Sequence, residues 1–233
     1  MLRLNFVRYN GLKLVAHFIF LLFFLPMSLF SFSIMLDPAG DAVHTGRCID
    51  NSFERGLTLQ YAQQLKTCLE KIIPGIRVII TRAPGETVAE LQNAHFANRM
   101  DVDLFLSIHF FKETEVVPRL YVYTYAHYDD AEVQKNNVLS FWHYDKIHLH
   151  QAEQTKQWAD FFTKTLQQGC YNKLFICSYC YAFPFKPLVG IKASALSIEI
   201  GLKNKNDLNS YLGPVCSAIY AIVSEGKGEA YAH

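Results

Sequence analysis

Charge of one sign is what this sequence has least of. Its 233 residues carry 22 Lys and Arg against 21 Asp and Glu, for a formal net charge of +1. The basic residues are spread along the chain, so the electrostatic footprint of a nucleic-acid binder is missing and that class is excluded. Internal repeats, low-complexity tracts and an interior linker are also absent, which argues against a repeat array or a string of modules. Cys177 and Cys180 form a C-x-x-C, but no second such pair exists to complete four thiolate ligands. The flanking Ser178-Tyr179 and nearby prolines lack the strand-to-helix context of a thiol oxidoreductase. A structural or incidental role is expected for the pair. The six cysteines, at 48, 68, 170, 177, 180 and 216, are an even number, in keeping with a compartment where disulfides persist.

What is present begins at the N-terminus. Arg3, Arg8 and Lys13 precede an apolar stretch from Leu14 to about Phe32, interrupted mainly by His17 and Pro26. That is the pattern of an export signal or a membrane anchor. Ser31 and Ser33 have the spacing a signal peptidase accepts, while the apolar run is near the ~20 residues that span a bilayer. Residues 1–33 are therefore read as a signal peptide or membrane anchor, and 34–233 as one domain. Its place is periplasmic or extracytoplasmic, secreted or held in the inner membrane. The roughly 200 residues that remain are enough for one well-formed core.

Strand and helix patterns alternate through that domain, which predicts an α/β fold with a mostly parallel twisted sheet and helices on both faces. Ile34 to Asp37 reads as a short strand ending in an Asp-Pro-Ala-Gly turn. Glu54 to Lys71 is a helix with Leu57, Tyr61, Leu65 and Leu69 on one side and Asn51 or Ser52 available as its cap. Arg77 to Thr81 is a strand, Thr87 to Asn98 a helix, Leu104 to Ile108 a continuously apolar strand of the doubly buried kind, and Leu120 to Tyr125 a further strand. From about 126 to 151 the text turns rich in His, Asp, Asn and Tyr without periodicity, an irregular insertion. Glu153 to Gln168, Ala195 to Ile200 and Asn209 to Val223 complete the domain as helix, strand and helix.

In open parallel sheets, functional groups gather beyond the carboxyl ends of the strands. Asp37, His109 and Glu199 fall at such ends, Glu54 opens the first helix over the same edge, and His44 lies in the intervening turn. Two imidazoles and a carboxylate suit Zn²⁺ with a water in the fourth position. Glu199 is placed to pass that water's proton to a leaving amine. Each residue also has a plainer reading. A histidine after a buried strand is commonly a hydrogen-bonded structural residue, and a first-turn Glu is favoured by the helix dipole. Glu199 is harder to explain so, since a carboxylate inside Leu-Ser-Ile-Glu-Ile-Gly is costly without a partner. Arg82 is a structural partner for some carboxylate. His127, His143, His148 and His150 lie in the insertion, where solvated loop histidines are the norm.

Asn93-Ala-His-Phe-Ala-Asn98 followed by Asp101-Val-Asp-Leu-Phe-Leu-Ser-Ile-His109 resembles a segment of the zinc-dependent N-acetylmuramoyl-L-alanine amidases, the type 3 cell-wall amidases. Val78-Ile-Ile-Thr-Arg82, Glu54 at the head of its helix and Ser197-Ile-Glu-Ile-Gly201 resemble further parts of that family in consistent order, over about residues 34 to 225. The resemblance implies Zn²⁺ held by Glu54, His109 and one more histidine, with Glu199 as the catalytic carboxylate. It also implies cleavage, in peptidoglycan, of the amide between N-acetylmuramic acid and L-alanine. In one place the pattern departs. The family's first strand ends Asp-Pro-Gly-His-Gly-Gly, where this chain has Asp37-Pro-Ala-Gly-Asp-Ala42, so Gly40 stands where the family's first zinc ligand stands. His44 is the foremost replacement and Asp41 the second. A domain that binds peptidoglycan, or regulates another wall hydrolase, without cutting is the alternative expectation.

Overall fold

The computed structural model describes residues 32–126, 144 and 146–230, apart from the side chains of 226–230. Its central sheet has six strands in the order β4-β1-β5-β8-β6-β7. They are β1 (Ser33–Pro38), β4 (Arg77–Ile80), β5 (Leu104–Lys112), β6 (Arg119–Tyr125), β7 (Ile176–Phe183) and β8 (Ser194–Leu202). The two-residue strands β2 (Cys48–Ile49) and β3 (Ser52–Phe53) form a separate antiparallel pair. β4, β1, β5 and β8 run parallel; β6 is antiparallel to β8, and β7 is parallel to β6. The mostly parallel sheet expected from alternation is thus observed, with one reversal.

Among the described residues, the α-helices that cover it are α1 (Glu54–Ile72), α2 (Gln92–Met100), α3 (Ala152–Leu166) and α4 (Leu212–Ala230). Alternation along the strands divides the burial between two faces. Leu104, Leu106, Ile108 and Phe110 of β5 and Leu196, Ile198, Ile200 and Leu202 of β8 enter a large core with α1, α3 and α4. Met35, Phe105 and Ala195 face the other way, into a smaller core with Ala94 and Ala97 of α2. α2 covers that second face near the start of the strands. Along the same face, further down β5 and β8, come Ser107, His109, Ser197 and Glu199.

Several boundaries differ from the sequence reading for local reasons. β5 and β8 run on past Ile108 and Ile200, so His109 and Glu199 lie within strands rather than after or at the end of them. α1 is not capped by Asn51 or Ser52. Phe53 stands at its N-cap, and the N–H groups of Glu54 and Arg55 donate to the carbonyls of Arg47 (2.8 Å) and Thr45 (3.1 Å). α2 starts at Gln92 rather than Thr87, because the Val88 N–H is drawn to Asp41 Oδ2 (3.0 Å) and Leu91 adopts a positive φ of 58°. Strand β7 had no expected counterpart, and it carries the C-x-x-C. Burial pushes the Cys177 and Cys180 thiols up to about 12 and about 11, so both stay protonated at neutral pH. All six cysteines are free. No helix among the described residues is long and apolar enough to cross a membrane. The apolar N-terminal stretch as far as residue 31, and His127 and His143, lie outside the described residues.

Just past β5, the Glu113 carboxylate accepts from the N–H groups of Thr114 (2.8 Å), Glu115 (2.9 Å) and Arg119 (3.0 Å) and from the Arg119 guanidinium (2.9 and 3.1 Å). A Cβ on Gly201 would lie 2.6 Å from Glu113 Oε2 and 2.9 Å from Phe111 Cζ, so only glycine lets the carboxylate pass. Burial pushes that carboxyl up, but the bonds from Arg119 and the backbone outweigh it and hold it at about 2, against an ordinary 4.5. A carboxyl depressed on folding stabilises the fold above its unfolded value and loses that contribution as pH falls towards the folded one. Glu113→Gln is therefore expected to lower the melting temperature at neutral pH, with the gap to wild type closing as the buffer is taken to about pH 3. A gap of constant size across a melting series in pH contradicts this.

Candidate functional site

The site starts from a difference in strand length. β1 ends at Pro38, whose partner is Ile108, and the last rung is Ala39 N–H to the Ile108 carbonyl (3.0 Å). β5 continues to Lys112, so the next outward pair of backbone groups, at Phe110, has no strand to bond. Buried backbone groups need partners. The Phe110 N–H donates to Glu54 Oε1 (3.0 Å), and the Phe110 carbonyl accepts from Arg47 Nη1 (3.2 Å). Glu54 Oε2 accepts the Arg47 backbone N–H (3.0 Å). The carboxylate at the head of α1 thus replaces a missing strand.

That placement sets Glu54 against His109, Oε1 to Nδ1 at 3.6 Å. The other ring nitrogen, Nε2, lies 3.1 Å from Ser107 Oγ, and the Ser107 hydroxyl donates to Asp37 Oδ2 (3.0 Å). A hydroxyl that gives its proton to Asp37 takes the one on Nε2, which leaves Nδ1 turned towards Glu54. Although burial pushes Glu54 up, the His109 ring and the N–H groups of Arg47 and Phe110 outweigh it and keep the carboxyl below its ordinary range. Asp37 in turn accepts from Thr81 Oγ1 and Asn93 Nδ2, each at 2.8 Å. Burial raises its carboxyl, against the pull of Thr81, His109 and Ser107.

Glu199 is the register partner of His109 across β5 and β8. Its Oε1 accepts from Arg47 Nη2 (2.8 Å) and its Oε2 from the Tyr123 hydroxyl (2.9 Å). Burial and the neighbouring Glu199 charge push the Tyr123 phenol up, so it stays a donor. An aromatic wall closes this side: Phe185 lies 5.2 Å from the His109 ring and 5.5 Å from Tyr123, with Phe183 5.2 Å from Tyr123. Glu54, His109 and Glu199 are brought together as the sequence suggested. Arg47, Tyr123 and Ser107 were missed, though Ser107 interrupts an apolar strand two residues before His109.

His44 is not brought to them. Its ring Nδ1 lies 3.2 Å from Asp41 Oδ1, with the side chain 77% exposed. Asp41 is occupied as well, accepting the N–H groups of Val43 (2.9 Å), His44 (2.6 Å) and Val88 (3.0 Å) as the organiser of its turn. Those bonds from His44 and Val88 hold its carboxyl far below the ordinary range. Nor is Arg82 bound to a carboxylate; it donates to the carbonyls of Pro38, Ala39 and Arg55. His148 packs its ring 4.5 Å from Tyr125.

The zinc expected from the resemblance can be tested against these donors. Glu54 and His109 are spaced as two ligands of one ion, with a second-layer chain through Ser107 and Asp37 of the kind that orients a ligating imidazole. A catalytic zinc takes three protein ligands, and among the described residues no third stands with these two. At Gly40, with φ of 77°, a Cβ would lie 2.8 Å from both Arg55 Cβ and the His44 carbonyl oxygen. Among the described residues no three His, Cys, Asp or Glu side chains converge as a metal site. The residues present do not fit the family's zinc site.

Gly40→Ala separates crowding from backbone strain when compared with Gly85→Ala, since Gly85 has a similar φ of 82° and open space around it. The Gly85 change is expected to cost about 1 kcal/mol from positive φ alone. Gly40→Ala is expected to cost at least about 1 kcal/mol more. Equal losses in urea unfolding contradict a filled pocket at Gly40.

Residues 34–212 match the family model described as N-acetylmuramoyl-L-alanine amidase. A curated relative, the N-acetylmuramoyl-L-alanine amidase CwlM of Bacillus licheniformis, is 34% identical over 76 residues, which are 33% of this chain and 30% of that protein. The match thus spans under a third of the relative's length. Among solved structures, the apo form of Ami1 from Mycobacterium abscessus aligns with a TM-score of 0.61 at 15% identity, over 82% of this chain and 98% of that one. The amidase AmiC2 of Nostoc punctiforme aligns with a TM-score of 0.59 at 16% identity, over 84% and 97%. At these identities the likeness is one of fold. Carried by the family match over most of the domain, the conclusion is that this chain belongs to the N-acetylmuramoyl-L-alanine amidase family.

Proposed function

We propose that this chain acts on peptidoglycan outside the cytoplasm, cutting the amide that joins N-acetylmuramic acid to L-alanine. One observation carries the reading: Glu199 and His109 stand side by side on adjacent strands, at the open edge of an amidase fold. Glu199 is the base. Tyr123 and Arg47 hold its two oxygens in place, and it takes a proton from the attacking water and returns it to the L-alanine nitrogen. The wall of Phe183 and Phe185 gives the muramoyl peptide an apolar surface to lie against. Residues 1–33 carry the domain across the membrane as a signal peptide or hold it there as an anchor, with 34–233 as the working domain. Of the residues expected to hold zinc, Glu54, His109 and His44, the last turns to Asp41 and no third donor stands in its place among the described residues, so no step is assigned to the ion. That same gap at Gly40 favours a second reading, a domain that grips the wall without cutting.

Digestion of purified sacculi separates the two. Cleavage is expected to release peptides with a free L-alanine amine, and Glu199→Gln to lower the rate by about a hundredfold or more. Protein that pellets with the wall and releases no peptide overturns the cutting reading in favour of the binder.

A further inference from the structure

We infer that the Arg47 guanidinium stands in for the metal, supplying the fixed positive charge of this site without a zinc ion. The inference rests on the peptidoglycan reading for its ligand and goes beyond it in naming the cation. Three observations converge. The position from which the family's first imidazole projects is a glycine whose Cβ direction is filled by Arg55 and the His44 carbonyl. His44 turns its ring to Asp41 instead. The same turn delivers Arg47, whose backbone N–H is pinned to Glu54 (3.0 Å) and whose guanidinium bridges the Phe110 carbonyl (3.2 Å) and Glu199 (2.8 Å). A guanidinium bound to Glu199, the register partner of His109, repels a divalent cation and offers the charge that such an ion would bring. Its side chain is half exposed, and the two bonds seen leave three of its five N–H groups for a ligand.

The step this supports balances without a metal. Water attacks the lactyl carbonyl carbon, and its proton passes to Glu199 as the new C–O bond forms. The carbonyl oxygen takes up the negative charge against a free Arg47 N–H. The C–N bond then breaks while Glu199 hands the proton to the departing nitrogen. The products are a lactyl carboxylic acid, whose proton passes to solvent or to the amine at neutral pH, and a free L-alanine amino group. Where the chain only grips the wall, the same N–H groups bind the intact carbonyl or a stem-peptide carboxylate, and Arg47 is the anchor.

The test uses the full chain and N-acetylmuramoyl-L-alanyl-D-isoglutamine as probe. Zinc content of the purified protein is expected to fall far below one ion per chain, and added zinc to leave the melting temperature unchanged. By calorimetry, Arg47→Ala is expected to weaken probe binding about tenfold or more, with Arg47→Lys recovering part of the loss. One zinc per chain, a zinc-dependent rise in melting temperature, or an R47A variant that binds as tightly as wild type overturns the inference. Should R47A fail to fold, R47K and the metal measurements on wild type still decide it. Uncut sacculi together with zinc-free, Arg47-dependent binding defeat the cutting reading alone; cut sacculi with bound zinc defeat this inference alone.

Discussion

Everything at this edge depends on one unpaired rung of the sheet. β5 outlasts β1, and the backbone groups of Phe110 must bond to something other than a strand. Glu54 and Arg47 meet that demand from the loop and helix that follow β1. Both side chains are thereby fixed beside His109 by backbone geometry, before any ligand is considered. The cost of burying a carboxylate is offset by the two N–H groups it accepts, and the charge of Arg47 is matched by Glu199. A site assembled on main-chain bonds is rigid by construction, which is what positioning a base and a water requires.

The two faces of the sheet explain why the polar groups collect where they do. α1, α3 and α4 cover one face, and along β8 the residues pointing there are Ser194, bonded to Gln154 of α3, and then Leu196, Ile198, Ile200 and Leu202. On the other face α2 covers only the first residues of the strands. Beyond it, on the same face, come Ser107, His109 and Glu199. Period-two alternation thus sorts the same strand into scaffold and chemistry.

Much of this was legible in the sequence. Alternating apolar runs gave the α/β class, and the costly carboxylate in Leu-Ser-Ile-Glu-Ile-Gly pointed to Glu199. Glu54 and His109 were found because a helix start and a strand end carry their own signals. What stayed hidden depended on contacts remote in the chain. Arg47 reaches Glu199 across 152 positions, and Tyr123 reaches it from a strand whose direction no local pattern reveals. His44 was misplaced because spacing along a turn says nothing of the direction in which a ring points; Asp41, three residues before it, captured the ring instead. β7 escaped notice because, as an edge strand, it has mostly exposed side chains and no clean alternation.

The crowding at Gly40 also bears on how such a chain can evolve. A histidine placed there meets the Arg55 side chain and a main-chain oxygen, in a conformation that suits glycine. A side chain at this position thus requires the turn from Asp41 to Gly46, which also carries the support of Glu54, to be reshaped.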